Sequence, residues 1–172
     1  QKSTTAVGTF GRSTSPHHIA IRVTTEDYAS LLFRMKEGIP GSVTISQMSA
    51  GRKNRLFLQI DGSKQSAAWD QEQPEVLWLG RRDEPNETLL KDPHLLKEPA
   101  RSYAHYPAGH GEAWADGLKN FMTDVYQHIA GKKKKKKEAN FATFSDGYRM
   151  AVLVDKICAS SRQRRWMKTG LK

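Results

Sequence analysis

The stretch that decides the fold is residues 28–48, which read YASLLFRMKEGIPGSVTISQM. In its first part apolar residues from Ala29 to Met35 occupy every second position, which indicates a strand because successive strand side chains point to opposite faces. The segment EGIPG at 37–41 then predicts a turn, since Gly tolerates positive φ and Pro cannot donate to a ladder. Residues 42–48 alternate again, so the two segments are predicted to pair as a hairpin.

Further short strands follow this hairpin at close spacing. We predict them at 55–60, 65–69, 76–79 and 88–90, with a tight turn at Asp61–Lys64. Ahead of the hairpin, residues 1–20 form an irregular start with one weak strand at 4–10. Short strands joined by turns, with no crossover helix between them, favour an antiparallel sheet over a doubly wound parallel one.

The second half of the chain changes to helical spacing. One amphipathic helix is predicted from Glu112 to Ala130, and a second is predicted to begin at Ser145 as its N-cap and to end in the basic turn 162–165. Cys158 falls on the apolar stripe of the second helix, which predicts a buried, inert thiol. Strands followed by helices give an α+β fold, an open, mostly antiparallel sheet with helices packed on one face. The other sheet face is then available for self-association.

Length and composition narrow the class of protein. The 172 residues, with 37% hydrophobic and 27% charged residues, suit one domain spanning 1–172. No apolar run reaches the roughly 18 residues of a membrane span, and no signal peptide is visible. The single cysteine excludes an internal disulfide and a multi-cysteine metal site, so we expect no metal and a reducing, cytoplasmic location. Because the first residue is Gln1, we expect a trimmed amino terminus.

The net charge of +10 is concentrated in one place. Six lysines form the block Lys132–Lys137, inside a Lys-rich loop at 131–143, and without them the net charge is +4. Nucleic-acid binders usually spread basic residues over a folded face with aromatics between them, so this pattern argues against nucleic acid. A solvated, self-repelling loop is the main interpretation, and a polyanion-binding patch is the alternative.

Two loops carry polar residues that suit ligand binding. The first presents Arg52, Lys53 and Asn54 in succession between two strands, and these are hydrogen-bond donors for hydroxyl or phosphate groups. A solvated hairpin loop would have the same composition. These three residues are therefore candidates whose role the composition alone leaves open.

The second loop runs from Tyr106 into the first predicted helix. It places His110 beside two glycines and Glu112 at the helix start, where anionic or polyhydroxylated ligands are favoured. A capped helix start with a backbone-bonded histidine is the equal alternative. The run from Gly109 begins like a dinucleotide fingerprint, but Trp114 stands where the third glycine is required, so we reject a nucleotide site here.

Several short motifs, taken in order, resemble a known family. They are TTEDYA at 24–29, SQ and SAGRKN within 46–54, DGSK at 61–64, WDQE at 69–72, Pro107 with Gly109-His110, Trp114 with Asp116, and FSDGYR at 144–149. Together they resemble the C-terminal domain of the Gfo/Idh/MocA oxidoreductases, from about Val23 to Trp166. Each motif is modest alone, whereas their order and spacing are specific.

The resemblance implies one half of a two-domain enzyme. In this family an N-terminal Rossmann domain holds NAD or NADP, and a C-terminal α+β domain covers the substrate and builds the oligomer. Substrates are usually sugars, inositols or related polyols. The resemblance therefore implies a substrate-binding and oligomerisation domain that associates through its sheet face, needs a Rossmann domain, and neither binds the cofactor nor turns over alone.

Departures from the family limit what is carried over. The glycine-rich fingerprint, the Glu-Lys-Pro segment with its catalytic Lys, and the Asp/His helix motif are absent from this sequence, so we assign no catalytic residue to the chain. By resemblance, the substrate-binding residues are Arg52, Lys53, Asn54, His110, Glu112 and Trp114, with His110 closing over the sugar and Glu112 and Trp114 supporting it. The alternative is a non-enzymatic binding or scaffold module, with polyanion binding through the Lys-rich loop.

Overall fold

A computed structural model describes residue 22, residues 24–131 and residues 139–171. The predictions for the irregular start, for the weak strand at 4–10 and for the block Lys132–Lys137 lie outside these residues. The chain divides between Ala50 and Gly51 into two compact units. The two units are described separately.

The first unit contains the predicted hairpin. Strand β1 (Tyr28–Arg34) pairs antiparallel with β2 (Pro40–Ser46). A short 3-10 turn at Lys36–Gly38 connects them, with Glu37 at φ 69° and Gly38 at φ 81°. Two successive left-handed residues reverse the chain, and glycine adopts the second of these conformations without steric cost. The hairpin prediction is confirmed, but the predicted turn at 37–41 is too long, because Pro40 and Gly41 already pair with Arg34 and Phe33 in the ladder.

The second unit begins with a four-stranded antiparallel meander. Its strands, in spatial order as in sequence, are β3 (Phe57–Asp61), β4 (Gln65–Asp70), β5 (Val76–Arg81) and β6 (Glu87–Leu90). Each of the four predicted strands is present. Every strand pairing within the described residues is antiparallel, which confirms the predicted strand arrangement.

The register of this sheet defines two ends. Phe57 pairs with Asp70, and Val76 pairs with Leu90, so these four residues share one end, which we call the upper end. The turns at 62–64 and 82–86 lie at the opposite, lower end. Segments that follow β4 and β6, or precede β3 and β5, therefore meet at the upper end.

Glycine on the β5 strand accommodates an aromatic ring from the same strand. A Cβ atom added at Gly80 would lie 2.2 Å from Cη2 of Trp78, so the indole ring covers the glycine backbone. Residues two apart in a strand share a face, which explains why this pair meets. A side chain at position 80 would displace the ring.

Helix α1 (Trp114–Ile129) begins two residues later than predicted. The Asp116 carboxylate accepts a hydrogen bond from the Ala113 backbone N–H at 3.1 Å, which fixes the first turn at that point. The prediction that Glu112 is a helical residue is therefore wrong. Its place in the preceding loop frees its side chain for contacts outside the helix.

Helix α2 (Phe144–Gln163) begins at a different cap from the one predicted. Thr143, not Ser145, is the N-cap: its hydroxyl accepts from the Asp146 N–H at 3.4 Å, and the Asp146 carboxylate accepts from the Thr143 N–H at 2.8 Å. This reciprocal capping box satisfies two otherwise unpaired donors. Hydrogen bonds from Thr143 hold the pKa of Asp146 below its usual value.

The first helix packs on the segment that precedes it. The Tyr103 hydroxyl donates to the buried carboxylate of Asp124 at 2.6 Å, and the Asn120 amide donates to the Tyr103 carbonyl at 3.0 Å. His105 reaches the Asn120 side-chain oxygen at 2.6 Å. These contacts place the loop at 103–113 against α1.

Apolar burial is incomplete throughout the described residues. No apolar side chain among them is fully buried, and Cys158, expected to be buried, is partly exposed.

None of the described helices combines the length and apolarity needed to cross a membrane. Two helices with antiparallel sheets confirm the α+β fold class.

Candidate functional site

The first candidate loop is clamped to the turn that follows β4. Arg52 Nη1 lies 3.0 Å from Glu72 Oε2, and the Lys53 backbone N–H donates to Glu72 Oε1 at 3.0 Å. The Asn54 carbonyl accepts from the Gln71 amide at 2.8 Å. The loop is therefore held at the upper end of the sheet by both side-chain and backbone contacts.

A second ion pair joins Arg55, the residue that follows this loop, to Asp70 at the end of β4. Arg55 Nε donates to Asp70 Oδ2 at 2.7 Å, and its guanidinium lies 4.6 Å from the centre of the Phe57 ring. The hydrogen bond from Arg55 lowers the pKa of Asp70, and the Lys53 N–H followed by Arg52 lowers the pKa of Glu72. Both carboxylates are anionic at neutral pH, and the Arg52 side chain remains 54% exposed and accessible to a ligand.

The second candidate loop meets the sheet through one lysine. Lys91 follows β6 and lies opposite Glu75, because its backbone N–H donates to the Glu75 carbonyl at 2.9 Å. The Lys91 ammonium contacts Glu75 Oε2 at 3.1 Å and the His110 carbonyl at 3.0 Å, and it forms a short ion pair with Glu112 Oε2. The Lys91 side chain is 14% exposed and that of Glu112 is 9% exposed.

Backbone hydrogen bonds complete this cluster of Lys91, Glu75 and Glu112, which we call the lysine cluster. The Glu112 N–H donates to Glu75 Oε1 at 2.6 Å, and the His105 N–H donates to Glu112 Oε1 at 2.6 Å. Burial favours the neutral acid, but the hydrogen bonds from Lys91 and His105 outweigh it and lower the pKa of Glu112. Burial likewise opposes the charge of Lys91, yet the two carboxylates raise its pKa.

The side chains of His110 and Trp114 are exposed near this cluster. His110 lies in a turn closed by its N–H to the Pro107 carbonyl at 3.2 Å, next to Gly109 at φ 80°. Its ring Nδ1 lies 3.4 Å from the Ala108 carbonyl. Trp114 is the first residue of α1 and is 72% exposed. Both rings are therefore open to an approaching ligand.

The predicted site residues fall into two groups at the same end of one sheet. Arg52, Lys53 and Asn54 lie beside the β3–β4 pair, whereas His110 and Glu112 meet beside the β5–β6 pair through Lys91. Adjacent strands are about 4.8 Å apart, so about two strand spacings, roughly 10 Å, separate the pairs.

Two residues of the site, Lys91 and Glu75, are not predicted by the sequence analysis. Each lies directly beside a predicted strand: Lys91 follows 88–90 and Glu75 precedes 76–79. Opposite charges at the facing ends of neighbouring antiparallel strands form cross-strand pairs. This signal predicts their contact with each other, but not with Glu112.

Two arrangements that commonly hold a dinucleotide or a metal ion are not found among the described residues. No helix among them connects parallel strands, and the loop before α1 follows a 3-10 turn at Ala100–Tyr103, not a strand. A Rossmann site needs that strand–loop–helix unit. Within the same residues, no three or more His, Cys, Asp or Glu side chains are grouped to hold a metal ion.

Comparison with known proteins decides the family. Residues 2–169 match the family described as the oxidoreductase family, C-terminal alpha/beta domain, of Gfo/Idh/MocA type. The chain belongs to the Gfo/Idh/MocA oxidoreductase family. A curated relative is an uncharacterized oxidoreductase, YfiI, of Bacillus subtilis (strain 168), 29% identical over 102 residues, which cover 57% of this chain and 26% of the relative.

Solved structures agree with this membership. An oxidoreductase from Sinorhizobium meliloti superimposes with a TM-score of 0.71 and 27% identity, over 82% of this Gfo/Idh/MocA chain and 40% of that chain. A levoglucosan dehydrogenase in complex with NADH and levoglucosan has a TM-score of 0.75 and 21% identity, over 87% and 40% respectively. The second likeness shows the shared fold.

The match covers a part of each relative. The chain spans about a quarter of the length of the curated relative and two fifths of the solved chains. The matched part is the C-terminal alpha/beta domain of an oxidoreductase.

Proposed function

We propose that this chain is the substrate-binding and oligomerisation part of an NAD(P)-dependent oxidoreductase acting on a sugar, inositol or related polyol. The observation that supports this most is the placement of two polar loops at one end of one sheet, each fixed by ion pairs. Donors held on two loops at one end of a sheet suit several hydroxyl groups of one ligand. The levoglucosan dehydrogenase with the same fold forms a complex with NADH and levoglucosan.

Each candidate residue has a proposed role in binding. Arg52, Lys53 and Asn54 donate to hydroxyl groups on the β3–β4 side. The His110 imidazole contacts a hydroxyl on the β5–β6 side, and Trp114 offers an apolar ring face to the sugar carbons. Glu112 supports His110 from within the lysine cluster.

The cofactor, NAD or NADP, is proposed to bind to a Rossmann domain and not to the described residues, which lack the unit for it. When bound, it exchanges a hydride with the carbinol carbon. This chain's own residues orient the polyol. We assign no proton-transfer step to them, and we propose a cytoplasmic location with Cys158 reduced.

Self-association is proposed through an apolar row across the four-stranded sheet. Leu58 pairs with Trp69, Trp69 with Leu77, and Leu77 with Leu89, so these side chains share one face. Leu58 is 56% exposed and Leu89 44% exposed. A contiguous apolar row on a sheet face is typical of an interface between copies.

The binding role is tested in the full-length protein that contains this chain. A panel of sugars and polyols is supplied with NAD or NADP, and NAD(P)H formation is followed by absorbance. We expect turnover of at least one polyol and a rise in its KM of about 10-fold or more in His110→Ala. His94→Ala, at an exposed histidine outside both loops, is the matched control and keeps the original KM.

Failure has a clear form in this assay. Absence of turnover with every polyol, or an equal effect of His94→Ala and His110→Ala, would overturn the proposed binding role.

For the oligomer, Leu58→Glu is expected to lower the sedimentation coefficient, whereas Leu95→Glu, at a 79% exposed position outside the sheet, leaves it unchanged. Equal sedimentation of all three proteins would contradict the sheet-face interface.

A further inference from the structure

We infer that Lys91 is the positioning residue that holds the loop at 105–112 and thereby sets the place of His110 for polyol binding. The inference rests on the function proposed above. A lysine ammonium has three N–H donors, and here three acceptors surround it: Glu75 Oε2, Glu112 Oε2 and the His110 carbonyl. All of its donors are used within the protein.

The contacts of Lys91 join two separate parts of the second unit. Lys91 and Glu75 belong to the sheet end, whereas His110 and Glu112 belong to the loop before α1. The link also includes backbone groups, because the Glu112 N–H donates to Glu75 and the His105 N–H donates to Glu112. Contacts to backbone atoms fix the path of the loop, and the path of the loop fixes where the imidazole projects.

The burial of the cluster makes these contacts stronger than a surface ion pair. The Lys91 and Glu112 side chains are 14% and 9% exposed, so water competes weakly for them. Removing the ammonium would leave two carboxylates near each other with no cation between them. The loop would then move so that the carboxylates reach solvent, and His110 would move with it.

This arrangement also redefines the role of Glu112. One of its oxygens is occupied by Lys91 and the other by the His105 N–H. Because both oxygens already accept hydrogen bonds at the cluster, Glu112 supports the loop and does not itself contact the polyol. Glu112 and Lys91 therefore act through His110.

The first experiment measures loop order directly in the 172-residue chain. Amide hydrogen exchange is followed for His105, His110 and Glu112 in the wild type and in Lys91→Met. We expect exchange at these amides to accelerate about 10-fold or more beyond the change at the β3–β4 amides, which reports the loss of global stability. The matched control is Arg81→Met, which removes a cation paired with two carboxylates at the lower end of the sheet.

Two further variants keep the test decisive if Lys91→Met does not fold. Lys91→Arg keeps the charge and should restore part of the protection, although a planar guanidinium cannot reproduce three converging contacts. Glu75→Gln keeps an acceptor for the Glu112 N–H and should accelerate exchange less than Lys91→Met. Unchanged loop protection in all three variants, or equal acceleration in Arg81→Met, would overturn the inference.

The second experiment separates positioning from general stability. In the full-length protein we expect Lys91→Met to raise the KM for the polyol about 10- to 100-fold, with KM for NAD or NADP unchanged and with partial recovery in Lys91→Arg. If no polyol is turned over by the wild type, the proposed function fails while the exchange result still judges the role of Lys91 in the loop. Faster exchange with an unchanged polyol KM would overturn the link to binding.

Discussion

The two ends of the four-stranded sheet carry ion clusters of the same composition, one cation with two carboxylates, but of different burial. The clusters are Lys91 with Glu75 and Glu112 at the upper end, and Arg81 with Glu84 and Glu87 at the lower end. In the upper cluster Lys91 is 14% and Glu112 9% exposed, whereas Arg81 is 30% and Glu84 67% exposed. The charged side chains at the upper end are therefore less exposed to water than those at the lower end.

The clusters also differ in what they connect. Arg81 pairs with residues three and six positions further on, so its contacts close one local turn. Lys91 contacts a residue 21 positions further on in a different segment, the loop before α1. A local, exposed cluster adds little to stability, whereas a drier, long-range cluster fixes tertiary structure. Burial and connectivity, not charge composition, separate the two ends.

The largest expected effect comes from removing the upper cation. Lys91→Met should lower the free energy of unfolding by about 2 kcal/mol, since breaking a fully buried pair costs roughly 3–5 kcal/mol and this one is partly solvated. Urea denaturation followed by circular dichroism measures the change. Lys97→Met, at an exposed lysine, is the control and should leave the midpoint unchanged. Equal losses of unfolding free energy in both variants would show that the upper cluster contributes no more to stability than an exposed lysine does.

A smaller effect is expected from the pH dependence of the upper cluster. The pKa of Glu112 is lowered in the folded state, so its contribution is complete above the ordinary value of 4.5 and is lost as the pH falls through the lower folded value. The pKa of Lys91 is raised, so its contribution is complete below 10.5 and is lost as the pH rises through the higher folded value. The lysine cluster therefore contributes its full stabilisation between pH 4.5 and pH 10.5.

The variant Glu112→Gln tests this window. Its amide oxygen still accepts from the His105 N–H, so its loss of stability should be smaller than that of Lys91→Met. The difference in unfolding free energy between wild type and variant should be constant at neutral pH and shrink in acid. A difference that persists unchanged at pH 3 would contradict the assigned ion pair.

The strands could be predicted from the sequence because their signal is local. The alternation in residues 28–48 predicts the hairpin without reference to the rest of the chain, although β2 begins at Pro40, inside the turn predicted at 37–41. The start of α2 was also encoded locally but was assigned to the wrong residue. Thr143 has an acidic residue three positions on, Asp146, which completes a capping box, whereas Ser145 lacks one.

The lysine cluster could be predicted only in part. Glu75 and Lys91 face each other across neighbouring strands, and the predicted strand ends already imply that pair. The contact of Lys91 with Glu112 depends on the path of the irregular segment between them, which carries no periodic signal. Because this irregular segment has no periodic signal, the sequence places Glu112 in the helix and does not predict that its side chain is buried.

The lower cluster should tolerate the matching change with little effect. In Arg81→Met, Glu84 and Glu87 are 67% and 44% exposed and regain water as their partner. We expect a denaturation midpoint close to that of the wild type, measured in the same urea series as Lys91→Met. A loss as large as that of Lys91→Met would show that exposure does not separate the two clusters.

The smallest effect on stability is expected at Arg52, which lies at the upper end but is 54% exposed. In Arg52→Ala the Lys53 N–H still donates to Glu72, so that carboxylate keeps a partner and the loop keeps its backbone contact. The urea midpoint should be unchanged, although the proposed role in binding predicts a higher polyol KM. This variant distinguishes position from burial: if it destabilised the chain as Lys91→Met does, location at the upper end would be the cause. An unchanged midpoint would instead show that location at the upper end is not sufficient and that lower exposure distinguishes Lys91 from Arg52.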